Sequence, residues 1–360
     1  MDNILNSLGG YNVVLDSLTY NLNWIRSSFD YNDDRGSSAY CNILGRWSEP
    51  YPETTGYIIC TLLSAFRATN ISWCRELAKM QIAYFRNIQN EDGSFHSKQN
   101  VQDPIVFDTS QILLGLTQLY KSEKSDNILS LIKKSYHWLL SNIESGKFIN
   151  YNYRKSYNPS YYARVYWAML EASDALGLQP NDKVVEGIEY IRELQNENFS
   201  FEYCGFNIED KTYLTHTIAY TIRGLWECGR LLENTEWQQA ATSSLDVIAE
   251  ISDISKSRLG GTYDKQWKPD TRFSCNAGNA QLVVLAMRIN PKKYSQFILS
   301  SLRQLLLVQK KSGKNMGAIP SSTPIWGSYQ RWRYTNWTQK FFADALCLLL
   351  SNSTHISHPL

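Results

Sequence analysis

A glycine-bearing turn returns along this chain at nearly constant spacing, and that recurrence limits the fold more than any other feature. Ile88-Gln-Asn-Glu-Asp-Gly-Ser-Phe95 is matched by Leu194-Gln-Asn-Glu-Asn-Phe-Ser-Phe201. Weaker copies lie at Asn142-Ile-Glu-Ser-Gly-Lys-Phe148, Ser257-Arg-Leu-Gly-Gly-Thr-Tyr263 and Ser312-Gly-Lys-Asn-Met-Gly-Ala-Ile319. With Gly93, Gly146, Phe199, Gly261 and Gly317 as markers, the steps are 53, 53, 62 and 56 residues, and Gly36 stands 57 residues before Gly93. Fixed-period self-similarity means that one supersecondary unit is repeated against its neighbours. Six such units account for a chain of 360 residues.

Each unit reads alike: the turn, a loop of variable length, an apolar helix with small residues, then a more amphipathic helix. In the second unit these are Phe107–Leu119 and Asn127–Leu140, the latter with Lys133 and Lys134 on its wet side. Strand-like alternation is scarce. A helix apolar nearly all round must be covered on every side, whereas one with a polar face lines the outside. Six inner and six outer helices close into a double ring, an all-α (α/α)6 toroid. A single domain over residues 1–350 with a flexible tail at 351–360 is expected.

In such a ring the inner helices start at one end. Their predicted N-terminal turns are Pro52-Glu53-Thr54, Phe107-Asp108-Thr109, Tyr161-Tyr162-Ala163-Arg164, Leu214-Thr215-His216, Cys275-Asn276-Ala277-Gly278-Asn279 and Tyr334-Thr335-Asn336-Trp337. Polar residues recur there, which a buried core does not require, so they are expected to converge on one mouth rimmed by the preceding loops.

Glu53 and Asp108 occupy equivalent places in neighbouring units, with Glu49 and Asp30, Asp33 and Asp34 upstream. Paired carboxyls across a cleft are what glycosidic-bond hydrolysis needs: one protonates the leaving oxygen, the other activates water or attacks the sugar. The positive helix end is expected to keep these carboxylates ionised, favouring a base or nucleophile over an acid. His216 is the one histidine at an inner-helix start; the same field disfavours its protonation, so it is expected neutral and able to accept a proton. Paired with Tyr213, Tyr220 or Tyr162, and with Asn276 or Asn336 neutralising a uronate, it suits a lyase or epimerase.

Candidate saccharide-binding residues surround these. Arg46, Trp47 and Tyr51 precede the first inner helix and Tyr57 lies within it. Tyr162, Arg164, Tyr213, Trp267, Asn276 and Asn279 come from the middle units. The last unit supplies Trp326, Tyr334, Asn336, Trp337 and Lys340, stacking faces beside fixed cations that suit an anionic carbohydrate. Lys340 and Asp344 are spaced to pair along the helix.

Composition trims the alternatives. The net charge is +2 with no basic run, against nucleic acid as partner. No 18-residue apolar run suggests a membrane span, and the first residues lack a signal-peptide layout. Seven scattered cysteines read as reduced thiols of a cytoplasmic protein rather than a disulfide framework. Without CxxC, HxxxH or a phosphate loop, no metal site and no cofactor are expected.

Gly45-Arg-Trp-Ser-Glu-Pro-Tyr-Pro-Glu-Thr-Thr-Gly-Tyr57, Phe107-Asp-Thr-Ser-Gln111, Thr215-His-Thr-Ile-Ala-Tyr220, Gly278-Asn-Ala-Gln281 and the Tyr334–Leu346 segment resemble a family of bacterial α/α-toroid proteins associated with exopolysaccharide, capsule or O-antigen gene clusters. More distantly, the layout is similar to unsaturated glucuronyl hydrolases, toroidal polysaccharide lyases and N-acylglucosamine 2-epimerases. The resemblance implies carbohydrate work without fixing the reaction. Three expectations follow from residues and resemblance together: a glycosidic-bond-cleaving enzyme acting on an oligosaccharide or polysaccharide; a sugar epimerase; or a non-catalytic binding factor in contact with polysaccharide-assembly proteins. The turn also resembles the repeat of terpenoid cyclases, but Asp30-Tyr-Asn-Asp-Asp34 lacks the spacing of their acid motif, and an isoprenoid-binding toroid ranks last.

Overall fold

Whether a helix here is apolar all round or along one stripe decides which of two rings it joins. The computed structural model describes residues 1–97, 103–154, 157–255 and 258–353. A short α1 (Asp2–Ser7) precedes α2 (Tyr11–Asp30). Five hairpins follow: α3 (Pro52–Thr69) with α4 (Ser72–Ile88), α5 (Val106–Ser122) with α6 (Asp126–Ser141), α7 (Ala163–Ala175) with α8 (Asp182–Glu193), α9 (Thr215–Leu231) with α10 (Thr235–Ser255), and α11 (Asn276–Ile289) with α12 (Ser295–Val308). The series ends with α13 (Asn336–Ser351). The tail expected from residue 351 lies, from 354 onward, outside the described residues.

α11 buries every residue from Asn276 to Met287, and α5 every residue from Val106 to Thr117. α8 buries only Val184, Gly187, Ile188 and Ile191, a single helical stripe. Accordingly α3, α5, α7, α9, α11 and α13 form the inner ring, each packing on the next, and α13 returns to α3 to close it. Outside, α4, α6, α8, α10 and α12 each cover the inner helix before them. The sixth outer position is filled differently from the expected order. α2, from the start of the chain, packs on α13, so the last hairpin is assembled from both ends.

The recurring turn has a definite task. Gln89 donates from Nε2 to the Leu131 carbonyl and to Ser135 Oγ on α6, both at 3.0 Å. Gln195 does the same to Ala240 O and Ser244 Oγ on α10. Gln309 donates to Ser17 O on α2 and accepts from Ser17 Oγ. Each turn therefore clasps the next outer helix. Gly93 needs to be glycine, since its φ is 96° and a Cβ would lie 2.4 Å from the Lys134 carbonyl oxygen. Phe199 takes the same left-handed conformation at φ 66° without that excuse of size.

Sheet is limited to two- and three-residue ladders among the described residues. Tyr40–Asn42 pairs antiparallel with Arg333–Thr335, Thr212–Leu214 with Thr262–Asp264, and Ser274–Cys275 with Ser322–Thr323. All three tie together loops that lead into inner helices. They build the rim of one mouth.

Candidate active site

All six expected inner-helix starts fall within a residue or two of the observed ones, so their first turns do meet at one end of the barrel. The starts of α3, α5, α9 and α13, with the turn before α7, line a cavity of about 450 Å³ there. Glu53, Asp108 and His216 line it, with Tyr51, Tyr57, Tyr220, Tyr329 and Trp337.

Pro52 opens α3 and puts Glu53 in its first turn. Asp108 takes the same place on α5. The two helices approach unusually closely: a Cβ on Gly56 would lie 2.5 Å from Ile112 Cα, and one on Gly115 would lie 1.9 Å from the Gly56 carbonyl oxygen. Backbone contact between two glycine-bearing helices thus sets the spacing of the two carboxyls.

Both carboxyls are buried, Glu53 at 7% and Asp108 at 1% exposure. Burial, then the neighbouring Asp108 charge, raises the Glu53 carboxyl well above the ordinary range; Thr54 Oγ1, which donates to Glu53 Oε2 at 3.2 Å, and the Arg164 cation only partly offset this. Burial also raises Asp108, against the hydrogen bond donated to its Oδ2 by Tyr51 OH at 3.2 Å. Here the expectation of ionised carboxylates is corrected. Loss of water outweighs the helix field, and the pair retains a proton near neutrality. Glu53 is its natural holder, because burial and the Asp108 charge raise it well above its ordinary range while Asp108, with Tyr51 donating to it, rises only to about 7.

His216 is 5% exposed; burial, aided by the Arg164 charge, pulls its imidazolium down to about 3, so the ring is neutral. Its Nδ1 lies 2.8 Å from Gln281 Nε2, whose other proton goes to the Ala277 carbonyl at 3.2 Å. That second bond fixes the amide as donor, so Nδ1 accepts and Nε2 carries the hydrogen. The expectation that His216 accepts a proton is corrected: in the neutral form it presents a donor. Its ring packs on Tyr220 at 4.3 Å and Tyr329 at 5.6 Å, and Tyr329 OH accepts from Trp337 Nε1 at 2.7 Å.

Several expected residues lie elsewhere. Arg46 and Glu49 are exposed on the preceding loop, and Trp47 turns outward to pack on Trp24 of α2 at 4.6 Å. Asp30, Asp33 and Asp34 pair with Arg26 and Arg35 at the surface. Tyr162 is buried against Phe107 and Phe148; its neighbour Tyr161 lines the cavity instead. Tyr213 and Tyr334 are buried in rim ladders, and Trp267 donates to the Asn198 carbonyl. Asn276 holds Pro320 O and Thr323 Oγ1, and Asn336 holds Ser28 Oγ and Ser38 O, so both tie loops together. Asn279 is buried beyond the cavity, Trp326 is 59% exposed beside Trp332, and Arg164 and Lys340 face the opposite end of the barrel.

Sequence reasoning did not find Tyr40, Tyr153, Arg154 or Phe206 as cavity residues. They come from loops between turn and helix, where no period marks which side chain points inward. Tyr153 OH meets Tyr51 OH at 3.0 Å, extending the hydrogen-bond chain from Asp108 to the rim. Arg333 lies over Tyr40 at 4.1 Å. Among the described residues no group of His, Cys, Asp and Glu is arranged to hold a metal ion, and no helix is long and apolar enough to cross a membrane.

No protein-family model matches the chain, and no curated protein does. Solved structures do match in fold. An unsaturated glucuronyl hydrolase from Bacillus sp. GL1, responsible for degradation of glycosaminoglycan, has a TM-score of 0.73 at 15% identity, covering 93% of this chain and 96% of its own. A sugar epimerase from a ruminal bacterium gives 0.72 at 13%, covering 95% and 99%. An unsaturated glucuronyl hydrolase from Streptococcus agalactiae gives 0.71 at 12%, covering 94% and 92%. These likenesses concern the helical toroid.

Proposed function

We propose that this mouth is the active site of a carbohydrate-active enzyme that hydrolyses a glycosidic bond. The observation that carries the proposal is the pair of buried carboxyls, Glu53 and Asp108, on adjacent helix starts in one cavity, raised so that one proton remains between them. Glu53 gives that proton to the glycosidic oxygen as the bond to the anomeric carbon breaks. Asp108, as carboxylate, serves as base for water or as nucleophile. Water supplies the hydroxyl that ends on the anomeric carbon. Ten aromatic side chains line the cavity and offer stacking faces for sugar rings. His216 Nε2–H supplies a donor to a sugar hydroxyl, and Arg154 and Arg333 favour an anionic saccharide.

The names of the neighbours, unsaturated glucuronyl hydrolase and sugar epimerase, support carbohydrate chemistry. The substrate class we propose is a bacterial surface polysaccharide or its lipid-linked precursor, in keeping with the sequence resemblance. Seven free cysteines support a reducing compartment such as the cytoplasm. Elimination or epimerisation with His216 as base is less well supported, because Gln281 occupies the nitrogen that could accept a proton.

Glu53→Gln and Asp108→Asn, assayed on acidic oligosaccharides for new reducing ends, are each expected to lower kcat by roughly 10²–10⁴-fold with little change in KM. Unchanged turnover in both variants would overturn the assignment. Products absorbing in the ultraviolet band of an unsaturated uronate would replace hydrolysis by elimination.

A further inference from the structure

The barrel has a second mouth. Residues of all six inner helices, most of them toward the C-terminal ends, line a separate cavity of about 490 Å³. Six cationic side chains line it against three carboxylates, Glu171, Glu227 and Asp344. Three of the cations, Arg67, Arg230 and Arg288, sit in last helical turns, where the negative helix end favours them anyway. Arg164, Arg223 and Lys340 sit deeper, and helix ends do not account for them.

The carboxylates are already engaged. Glu227 accepts from Arg288 at 2.8 Å and from Arg230 at 2.9 Å. Glu171 is held by Lys121 at 2.6 Å, and also by Gln118 and Trp167 Nε1. Asp344 pairs with Lys340 and accepts from Thr61. Arg223 is only loosely paired. It is 9% exposed and comes no nearer to Glu227 than 3.9 Å, and its Nε and Nη1 have no hydrogen-bond partner. Arg164, 1% exposed, gives Nε to Gln111 but has no partner for Nη1. The two guanidinium groups lie over the ring of Trp167, at 5.2 and 5.3 Å from its centroid. Burial pulls the Arg223 guanidinium down to about 10. A buried cation whose N–H groups lack acceptors is costly. Two that share one indole and line one net-positive cavity call for a shared anion.

We propose that this far mouth binds a phosphate-class oxyanion, held by the guanidinium groups of Arg223 and Arg164 that line it. The forked donors of arginine match two oxygens of such a group, and the cavity has room for a phosphorylated monosaccharide as well as for inorganic phosphate. This inference stands on the far cavity alone and does not depend on the reaction proposed for the first mouth.

The test is thermal unfolding of the full chain titrated with sodium phosphate, ionic strength being held constant with sodium chloride. Saturable stabilisation is expected, following the logarithm of free phosphate. Arg223→Gln is expected to weaken the phosphate response at least tenfold and, by removing a buried charge that makes only one long ion pair, to unfold at an equal or higher temperature without phosphate. Arg223→Lys keeps the charge but loses the fork, and is expected to lose most of the response. A glucose 1-phosphate titration separates the sources: tighter binding than inorganic phosphate assigns the site to a phosphosugar, equal binding to phosphate itself. No saturable shift in the parent chain, or an undiminished shift in both variants, would overturn the proposal.

Discussion

Asp108 shows how much one residue owes to surroundings that its sequence position does not reveal. Its place in a first helical turn is local, but its charge state is set by the helices that cover it. Because burial raises its folded pKa to about 7, Asp108 holds a proton in the native state between the ordinary carboxylate range and about 7, where the unfolded chain has given it up, and is a carboxylate above that. Stability from this group is therefore lost as pH rises through that window. Asp108→Asn removes the effect. It is expected to raise stability at pH 7 by about 1–3 kcal/mol and to leave it nearly unchanged at pH 3, read from urea midpoints at both values, while activity collapses. Equal destabilisation at both pH values would show that the carboxyl acts as a structural acceptor instead. His216 teaches the same lesson: its neutrality was expected from the helix start, but burial and the Arg164 charge impose it, and Gln281, 65 residues away in sequence, decides which nitrogen carries the hydrogen.

At the scale of elements, the close approach of α3 and α5 matters most, because those helices carry the carboxyl pair. Alanine gains about 1 kcal/mol over glycine within a helix. Gly56→Ala should nevertheless destabilise by a net 1–3 kcal/mol or so, since its methyl would meet the Ile112 backbone at 2.5 Å. Forcing the helices apart should also lower kcat more than it raises KM. Calorimetry with steady-state kinetics checks both, and a more stable, fully active variant would show that the contact does not set the carboxyl spacing. The loops were less legible than the helices. Trp47 and Arg46 share a run with Tyr51, yet Trp47 is taken by Trp24 of α2 and only Tyr51 reaches the cavity. No regular period exists in such a segment to sort inward from outward side chains.

For the whole molecule, α13 closes the inner ring on α3, and completion of the outer ring depends on α2 meeting α13. Asn21, fully buried on α2, donates to Gln339 Oε1 at 3.0 Å and to the Gly317 carbonyl at 3.2 Å, across nearly the entire length of the chain. Asn21→Ala removes both bonds, although Gln339 Oε1 still accepts from Ile319 N and the Gly317 carbonyl from Gln309 Nε2, and is expected to cost about 1–3 kcal/mol, with unfolding still a single transition if the ring opens as one unit. A separate early transition in urea would show instead that α2 peels away before the other hairpins unfold. The closed ring also explains why one barrel carries two chemically different mouths. Helix starts converge at one end and helix ends at the other, and the stripe facing the axis runs from a carboxyl pair to a cluster of guanidinium groups.

By itself the amino-acid order determined the six-fold repeat, the inner and outer character of each helix, and the point at which each inner helix begins. Those depend on local periodicity and turn chemistry, which act over a few residues. Tertiary structure alone decided that α2 supplies the sixth outer helix, that Asn276 and Asn336 tie loops together, that the carboxyl pair retains a proton, and that a second, basic cavity lies at the far end. Each of these arises from desolvation or contact between segments remote in sequence, and such forces come into being only when the ring closes.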